Sequence, residues 1–369
     1  MDLSTLAPMD VAGRVDRLRQ AMEQAQIPAL LVTHLTSIRY LSGFTGSAAL
    51  LLVSPDGLTF VTDGRYGQQS EAELKAAGVN ATIEVSSLNQ KDIVVAAVEA
   101  SGATRLGLEA ESVTWSAVQT YDDKWFPDLE LVSTKGLVGE LRLIKDDGEL
   151  ARLEAAAAIA DSALAQVRHR LNDRPTETEF ALELNAAMRS LGADDLSFET
   201  IVASGPNGAL PHHHPGTRTI TGGDLVVIDF GALVDGYHSD MTRTIAVGDI
   251  SDTQQKMWDV VARSQAAGVE AVASEVACKD VDTVCRDIIV EAGWGEAFLH
   301  GTGHGVGLDI HEDPRVAQSS TATLVERCVI TVEPGVYLPA HGGVRIEDTV
   351  VVTSDGCRPI TLAPKTIGV

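Results

Sequence analysis

Cysteine is scarce in this chain, with four in 369 residues, at positions 278, 285, 328 and 357. No two of them form a C-x-x-C pair, which excludes a zinc knuckle and a thioredoxin-like motif. Four are also too few for a disulfide scaffold, so free, buried or half-buried thiols are expected. Basic residues are few as well: 28 Lys and Arg stand against 52 Asp and Glu, a net charge of −24. So acidic a surface repels phosphate backbones and anionic membranes, which argues against nucleic-acid and membrane partners. Long hydrophobic runs are missing too. Stretches such as 48–53 and 225–228 fall far short of the ~20 residues that a membrane helix needs. The start, Met1-Asp2-Leu3, has no basic segment followed by an apolar one. No signal peptide is expected, and the cytoplasm is the expected location.

What is present suggests two domains, since a domain takes ~100–200 residues. Residues 1–135 alternate between helical and extended periods. Residues 11–26, 68–77 and 92–100 predict helices; 28–33, 48–53, 81–85 and 105–108 predict strands. Such alternation suggests a three-layer α/β domain. The pattern changes near Lys135-Gly136, so a boundary is expected at 133–143. Beyond it, 146–171 predicts an Ala-rich helix and 176–191 a second one, opened by a capping box of Thr176 and Glu179. Strands are expected at 224–234 and 237–247, joined by a tight turn at Asp235-Gly236. Helices at 252–273 and 281–292 follow, then strands at 328–332 and 344–352. The order ααββ thus occurs twice. It suggests two similar halves packed face to face over a cleft, although no residue-level repeat is visible.

Chemistry-bearing residues fall at comparable places in the two halves. Asp229 closes an apolar run, and Asp240 falls on the neighbouring strand of the expected hairpin, so their side chains can converge on one face. An acid buried at the end of such a run is costly without a partner, and a cation is the usual remedy. Glu333 ends a second apolar run just before Pro334, which stops the ladder and leaves the carboxylate facing a cleft. Glu347 lies in a third run. Four acids so placed suggest a shared oxygen-rich cavity. His300, His304 and His311 occur in a glycine-rich stretch. His300 and His304 have the spacing of a zincin helix, but the glycines between them argue for an extended segment, and Glu312 follows the wrong histidine for H-E-x-x-H. The glycines do not match G-x-G-x-x-G either. His212, His213 and His214 end a loop of turn residues.

Residues 201–212, 228–244, 300–312, 331–335 and 344–348 together resemble the pita-bread metallopeptidases, specifically the Xaa-Pro branch of prolidase and aminopeptidase P. The stretches Arg39–Ser47 and Thr62–Tyr66 also look like the smaller domain of bacterial members. The resemblance implies an α/β N-terminal domain of creatinase/prolidase type at 1–135, serving substrate access and dimerisation. A catalytic α+β pita-bread domain with pseudo-two-fold halves is implied at 142–369. Carried over residue by residue, it implies that Asp229, Asp240, His304, Glu333 and Glu347 ligate two divalent metal ions. It implies catalytic roles for His212, His311 and Glu333, and substrate-binding roles for His300 and Arg345. The tract His212–His214 leaves the register of the first histidine ambiguous; Leu210-Pro211 before it favours His212. The resemblance further implies hydrolysis of the bond between an N-terminal residue and proline, by a hydroxide bridging the two metals. Short proline-containing peptides are the expected substrates, and a homodimer is the expected assembly. A set of four carboxylates and one imidazole suits Mn²⁺ best, with Co²⁺ or Zn²⁺ as alternatives.

The fold admits rivals. A creatinase-like amidinohydrolase uses no metal ligands, and the intact five-residue set speaks against it. Methionine aminopeptidase shares the ligands, but its typical members lack the extra α/β domain; a methionine-aminopeptidase-like or broader dipeptidase activity on the same site is the alternative. An inactive binding module, as in some histone chaperones, is expected to have lost ligands.

Overall fold

The computed structural model describes residues 3–369 and divides into two units. The first is Met9–Arg142; the second joins Leu143–Val369 with the residues up to Pro8. No helix among the described residues is long and apolar enough to cross a membrane.

In the first unit, strands β1 (Leu30–Val32), β2 (Ala49–Val53), β3 (Leu58–Thr62), β4 (Thr82–Val85), β5 (Arg105–Glu109) and β6 (Glu130–Thr134) form one sheet. Their order is β4-β3-β2-β1-β5-β6. The sheet is mixed: β1–β2 and β2–β3 run antiparallel, the other pairs parallel. Helix α1 (Arg14–Gln24) precedes β1; α2 (Leu35–Ser42), α3 (Gly67–Ala76), α4 (Gln90–Ala100) and α5 (Trp115–Thr120) connect strands, and α6 (Gly139–Leu143) follows β6. Leu18 and Met22 lie buried on one face of α1, as the helical period requires.

The second unit contains two halves with the same construction. In the first half, α7 (Asp147–Val167) and α8 (Glu177–Ser190) pack on the sheet of β8 (Ile201–Ser204), β9 (Leu225–Phe230) and β12 (Met241–Ala246). In the second, α9 (Asp252–Ala271) and α10 (Cys278–Glu291) pack on the sheet built around β13 (Gly303–Gly305), β15 (Val329–Val332) and β18 (Asp348–Val352). Helices α7, α8 and α9 each open with a complete capping box, in which side chain and backbone at the N-terminus satisfy each other's hydrogen bonds. Helix α7 ends four residues before the expected 171 and continues as a 3₁₀ turn to Asp173.

Three strands expected to be continuous are broken. The stretch 224–234 splits into β9 and β10 (Ala232–Val234), and 237–247 splits into β11 (Tyr237–His238) and β12. In the second half, 344–352 splits into β17 (Gly342–Arg345) and β18, with β16 (Gly335–Leu338) following β15. In each half the inner strands pair with each other, β9 with β12 and β15 with β18. The outer strands form a separate hairpin, β10 with β11 and β16 with β17, and β7 (Asp195–Leu196) pairs with β10 as well. Asp240, Glu333 and Glu347 all occupy the breaks between inner and outer strands. The break after β9 depends on Gly231, because a Cβ there would lie 1.9 Å from the Ser239 carbonyl oxygen. The two halves meet where the Glu347 N–H donates to the Thr242 carbonyl at 3.1 Å and the Arg345 N–H to Thr244 Oγ1 at 3.0 Å.

Phe180 is fully buried on α8, among the side chains that join α7 and α8 to the first sheet. Phe180→Ala should destabilise this unit by ~3–5 kcal/mol, the usual cost of a large core cavity. Urea unfolding followed by fluorescence measures it, and a loss below about 1 kcal/mol would contradict the packing described.

Candidate metal centre

The breaks between strands bring the acids together. Asp229, Asp240 and Glu347 each offer a carboxylate oxygen, and these oxygens lie within 4.8 Å of one another. His304 Nε2 lies 3.5 Å from Asp240 Oδ2 and 3.5 Å from Glu333 Oε1. All five side chains line one cavity of about 620 Å³. No helix carries the histidines of the glycine-rich stretch: His304 is in the middle of β13, and His300 and His311 are at bends.

The electrostatics of this cluster are unfavourable as it stands. Burial, then the charges of its neighbours, push the Asp240 and Glu347 carboxyls well above the usual carboxylate range. Burial likewise pushes Glu333 up to about 8, with the Arg345 guanidinium opposing it. His304 is held down to about 4, mainly by burial. Its Nδ1 is 3.0 Å from the Gly305 carbonyl, which fixes the proton there. The Nε2 lone pair therefore faces two carboxylate oxygens. Asp229 Oδ1 and Glu347 Oε1 are buried with no hydrogen-bond partner among the described residues. Lone pairs facing lone pairs, with two carboxylate oxygens unsatisfied, form a cradle that a cation completes.

Three of the other oxygens are held, two by threonines that the sequence motifs did not single out and one by Arg345. Thr242 Oγ1 donates to Glu347 Oε2 at 2.7 Å, and Thr331 Oγ1 donates to Glu333 Oε1 at 3.3 Å. Each threonine is two positions from an acid, Asp240 or Glu333, the spacing that puts strand residues on one face. Arg345 has every side-chain nitrogen engaged: Nη2 on Asp229 Oδ2 at 2.5 Å, Nη1 on Tyr337 Oη at 2.8 Å and Nε on Thr242 Oγ1 at 3.1 Å. The Tyr337 hydroxyl, so bound, donates in turn to His300 Nε2 at 2.8 Å, with His300 Nδ1 on the Gly301 carbonyl. Burial holds His300 down to about 4.

The other histidines divide by their partners. His311 packs edge-on against His304, ring centroids 4.4 Å apart. Its imidazole is lowered by burial and by the charge of Arg315. His213 is turned away to donate from Nε2 to Glu177 Oε2 at 2.8 Å, and His214 pairs with Glu199 on the surface. His212 has neither partner; it is exposed on the cavity wall, close enough for its charge to lower both His311 and His300. Arg315 also lines the cavity and, among the described residues, makes no hydrogen bond or ion pair. Nothing in the sequence pattern marks it, because it lies outside the motif that ends at Glu312.

Comparison with known proteins decides the family. Residues 151–354 match the model of metallopeptidase family M24, and residues 14–144 match the creatinase/prolidase N-terminal domain. The chain belongs to metallopeptidase family M24. It is 42% identical to an uncharacterized peptidase of Bacillus subtilis, over 95% of this chain and 98% of that protein. A solved Xaa-Pro dipeptidase from Bacillus anthracis is 40% identical with a TM-score of 0.93, covering 97% of this chain and 100% of that one. An X-Pro aminopeptidase from Thermotoga maritima is 34% identical with a TM-score of 0.87, covering 96% and 99%. The architecture is therefore a creatinase-type N-terminal domain followed by a pita-bread domain, as the motifs imply. A metallopeptidase of this family uses divalent metal ions, and the unsatisfied oxygens and the His304 lone pair fit them.

Without metal, the cluster should give the M24 enzyme an inverted pH response. Folded Glu333 keeps a proton that the unfolded chain releases near 4, so its contribution to stability falls as pH rises towards 8, and the raised carboxyls of Asp240 and Glu347 act in the same direction. His300 and His304 act oppositely, but only between about 4 and their ordinary value of 6.5. From pH 6.5 to 8 the carboxyls act alone, and Glu333 by itself accounts for a loss of about 2 kcal/mol at ~1.4 kcal/mol per pH unit. Thermal unfolding in chelator should thus show a lower midpoint at pH 8 than at 6.5, abolished by metal. A midpoint that rises over this interval would contradict the site's electrostatics.

Proposed function

We propose that this metallopeptidase cleaves the bond between an N-terminal residue and proline. Asp229, Asp240, His304, Glu333 and Glu347 would hold two divalent ions, Mn²⁺ best matching so oxygen-rich a donor set. The observation that carries the assignment is the pair of buried, unsatisfied oxygens, Asp229 Oδ1 and Glu347 Oε1, beside the His304 lone pair. Bound ions supply a Lewis acid for the scissile carbonyl and acidify the attacking water. The chain's own residues do the rest. Glu333 Oε2, which among the described residues has only Arg345 Nε near it, at 3.9 Å, takes the proton of the attacking water and delivers it to the prolyl nitrogen as the carbon–nitrogen bond breaks. His212 and His311 donate hydrogen bonds to the developing tetrahedral oxygen and the leaving group. Arg345 is fully engaged with the protein, so its part is to hold Asp229 in place rather than to touch substrate.

Peptide length is set by Arg315. An unpaired guanidinium on the wall of a cavity otherwise rich in acids is a ready partner for a substrate carboxylate. It favours dipeptides, whose proline carboxylate lies next to the scissile bond, and Phe198, Ile201 and Ile310 supply apolar wall for the ring. The names of the Bacillus anthracis and Thermotoga maritima relatives span both peptide lengths, and the dipeptidase alternative is the one proposed here. A homodimer in which the N-terminal domain serves substrate access belongs to the same proposal.

Ala-Pro, Ala-Pro-amide and Ala-Pro-Ala, assayed side by side on the metal-reconstituted enzyme, test this. Ala-Pro should be the best substrate. Arg315→Ala should raise KM for Ala-Pro by roughly tenfold or more, the order for a charge-assisted hydrogen bond, and leave the amide nearly unchanged. Equal effects on acid and amide would remove Arg315 from carboxylate recognition; failure to cut any of the three would overturn the Xaa-Pro assignment. Asp240→Ala should abolish both metal retention and turnover, read by metal analysis of the purified variant. Full metal content in that variant would exclude Asp240 as a ligand.

A further inference from the structure

Outside the carboxylate cluster, the second unit contains a buried ion pair that the mechanism above does not use. Lys145 Nζ lies 3.2 Å from Glu312 Oε2, the two side chains being 1% and 7% exposed. A buried ammonium is costly without a partner, and the Glu312 carboxylate supplies one to Lys145. The pair is anchored at one end and pinned to a turn at the other. At the anchored end, the Lys145 N–H donates to the Arg327 carbonyl at 3.1 Å, and Arg327 Nε donates to the Lys145 carbonyl at 2.6 Å. Lys145 is thereby held to the chain just before β15, the strand that leads to Glu333.

At the other end, Glu312 Oε1 accepts the Asp309 N–H at 3.0 Å, closing the turn between β13 and β14 (Glu312–Val316). The carboxylate occupies the space of a missing side chain: a Cβ on Gly307 would lie 2.6 Å from Glu312 Oε2. Gly307 is thus the residue that lets the acid fold back onto its own turn. The Gly307 carbonyl also accepts the His238 N–H at 2.9 Å, which ties the turn to the first half. What this turn presents to the cavity is His311, the residue before Glu312, stacked edge-on against His304.

We propose that Lys145 is a positioning residue for His311, acting through Glu312. Lys145 clamps the Glu312 carboxylate, the carboxylate fixes the 307–312 turn, and the turn sets the imidazole against the reacting carbonyl. Lys145 touches neither metal ligand nor substrate. The proposal rests on the catalytic role given to His311 above, so the test separates the two.

The test is a double-mutant cycle on the full-length, metal-loaded enzyme with Ala-Pro. Lys145→Met with Glu312→Gln removes both charges of the pair together and keeps an acceptor for the Asp309 N–H. With His311 present, this pair of substitutions should lower kcat by about ten- to a hundredfold, the scale of a small misplacement of a catalytic group, while KM changes little. In the His311→Ala background it should cost less than twofold. Equal losses in both backgrounds would mean a general structural role and would overturn the proposal, as would an unchanged kcat in the first. Glu312→Gln alone, which is isosteric, should show a weaker form of the same pattern and serves should the double variant fold poorly. If His311→Ala itself costs nothing, the functional reading of His311 fails, and the crystal structure of the Lys145→Met/Glu312→Gln variant then decides the positioning question. A displaced His311 with Asp229, Asp240 and Glu347 unmoved supports the proposal, and an unmoved His311 refutes it.

Discussion

Mutual repulsion among four carboxylates and an imidazole lone pair, all turned into one buried cavity, is the constraint around which this domain is organised. Each of these groups would be cheaper in water. Their cost is visible in the shifted titration of Asp240, Glu333 and Glu347 and in the two oxygens left without a hydrogen bond. Only an entity of positive charge satisfies all five at once, so the same arrangement that weakens the metal-free fold gives the site its affinity for divalent ions. Arg345 and the hydroxyls of Thr242 and Thr331 hold the carboxylates in the orientations a cation requires. They do so without covering Asp229 Oδ1 or Glu347 Oε1, which stay open to the ion.

The scaffold achieves this by repeating one device. In each half an inner strand carries the chain to the cavity, breaks, and hands it to an outer hairpin. The second strand of the hairpin breaks again on its way back. Asp240, Glu333 and Glu347 stand at these breaks, and Asp229 pairs with Thr242 just beside one. A residue at a break is free of the alternating strand geometry, so acids from both halves can turn towards a common point. A continuous sheet would send alternate residues to opposite faces.

Much of this is legible in the sequence, for reasons that differ from residue to residue. Asp229, Glu333 and Glu347 stand out because each interrupts an apolar run, where an acid is costly without a partner. His304 and His311 stand out through their glycine-rich setting. The strand breaks are not legible. The run from Phe230 to Val234 is continuous in hydropathy, and the break at Gly231 arises from a close approach to the Ser239 carbonyl, contributed from outside its own strand. The supporting residues are hidden for a similar reason. Arg315, Tyr337 and Lys145 act on groups far away in the chain or on the cavity as a whole, and no local spacing encodes that. Within the tract 212–214, only the buried carboxylate of Glu177 distinguishes the histidines, by taking His213 and leaving His212 to the cavity. In the N-terminal unit, β3 and β6 escape notice because polar residues take two of the five positions in β3 and three of the five in β6, whereas α1 is plain from its period.

The most direct measurement of the central claim is anomalous diffraction at the manganese edge from crystals of the full-length protein reconstituted with Mn²⁺. Two anomalous peaks per chain are expected inside the cavity, the residues around them being Asp229, Asp240, His304, Glu333 and Glu347 and no others from this chain. A single peak, or peaks that leave Asp229 or Glu347 uncoordinated, would contradict the account.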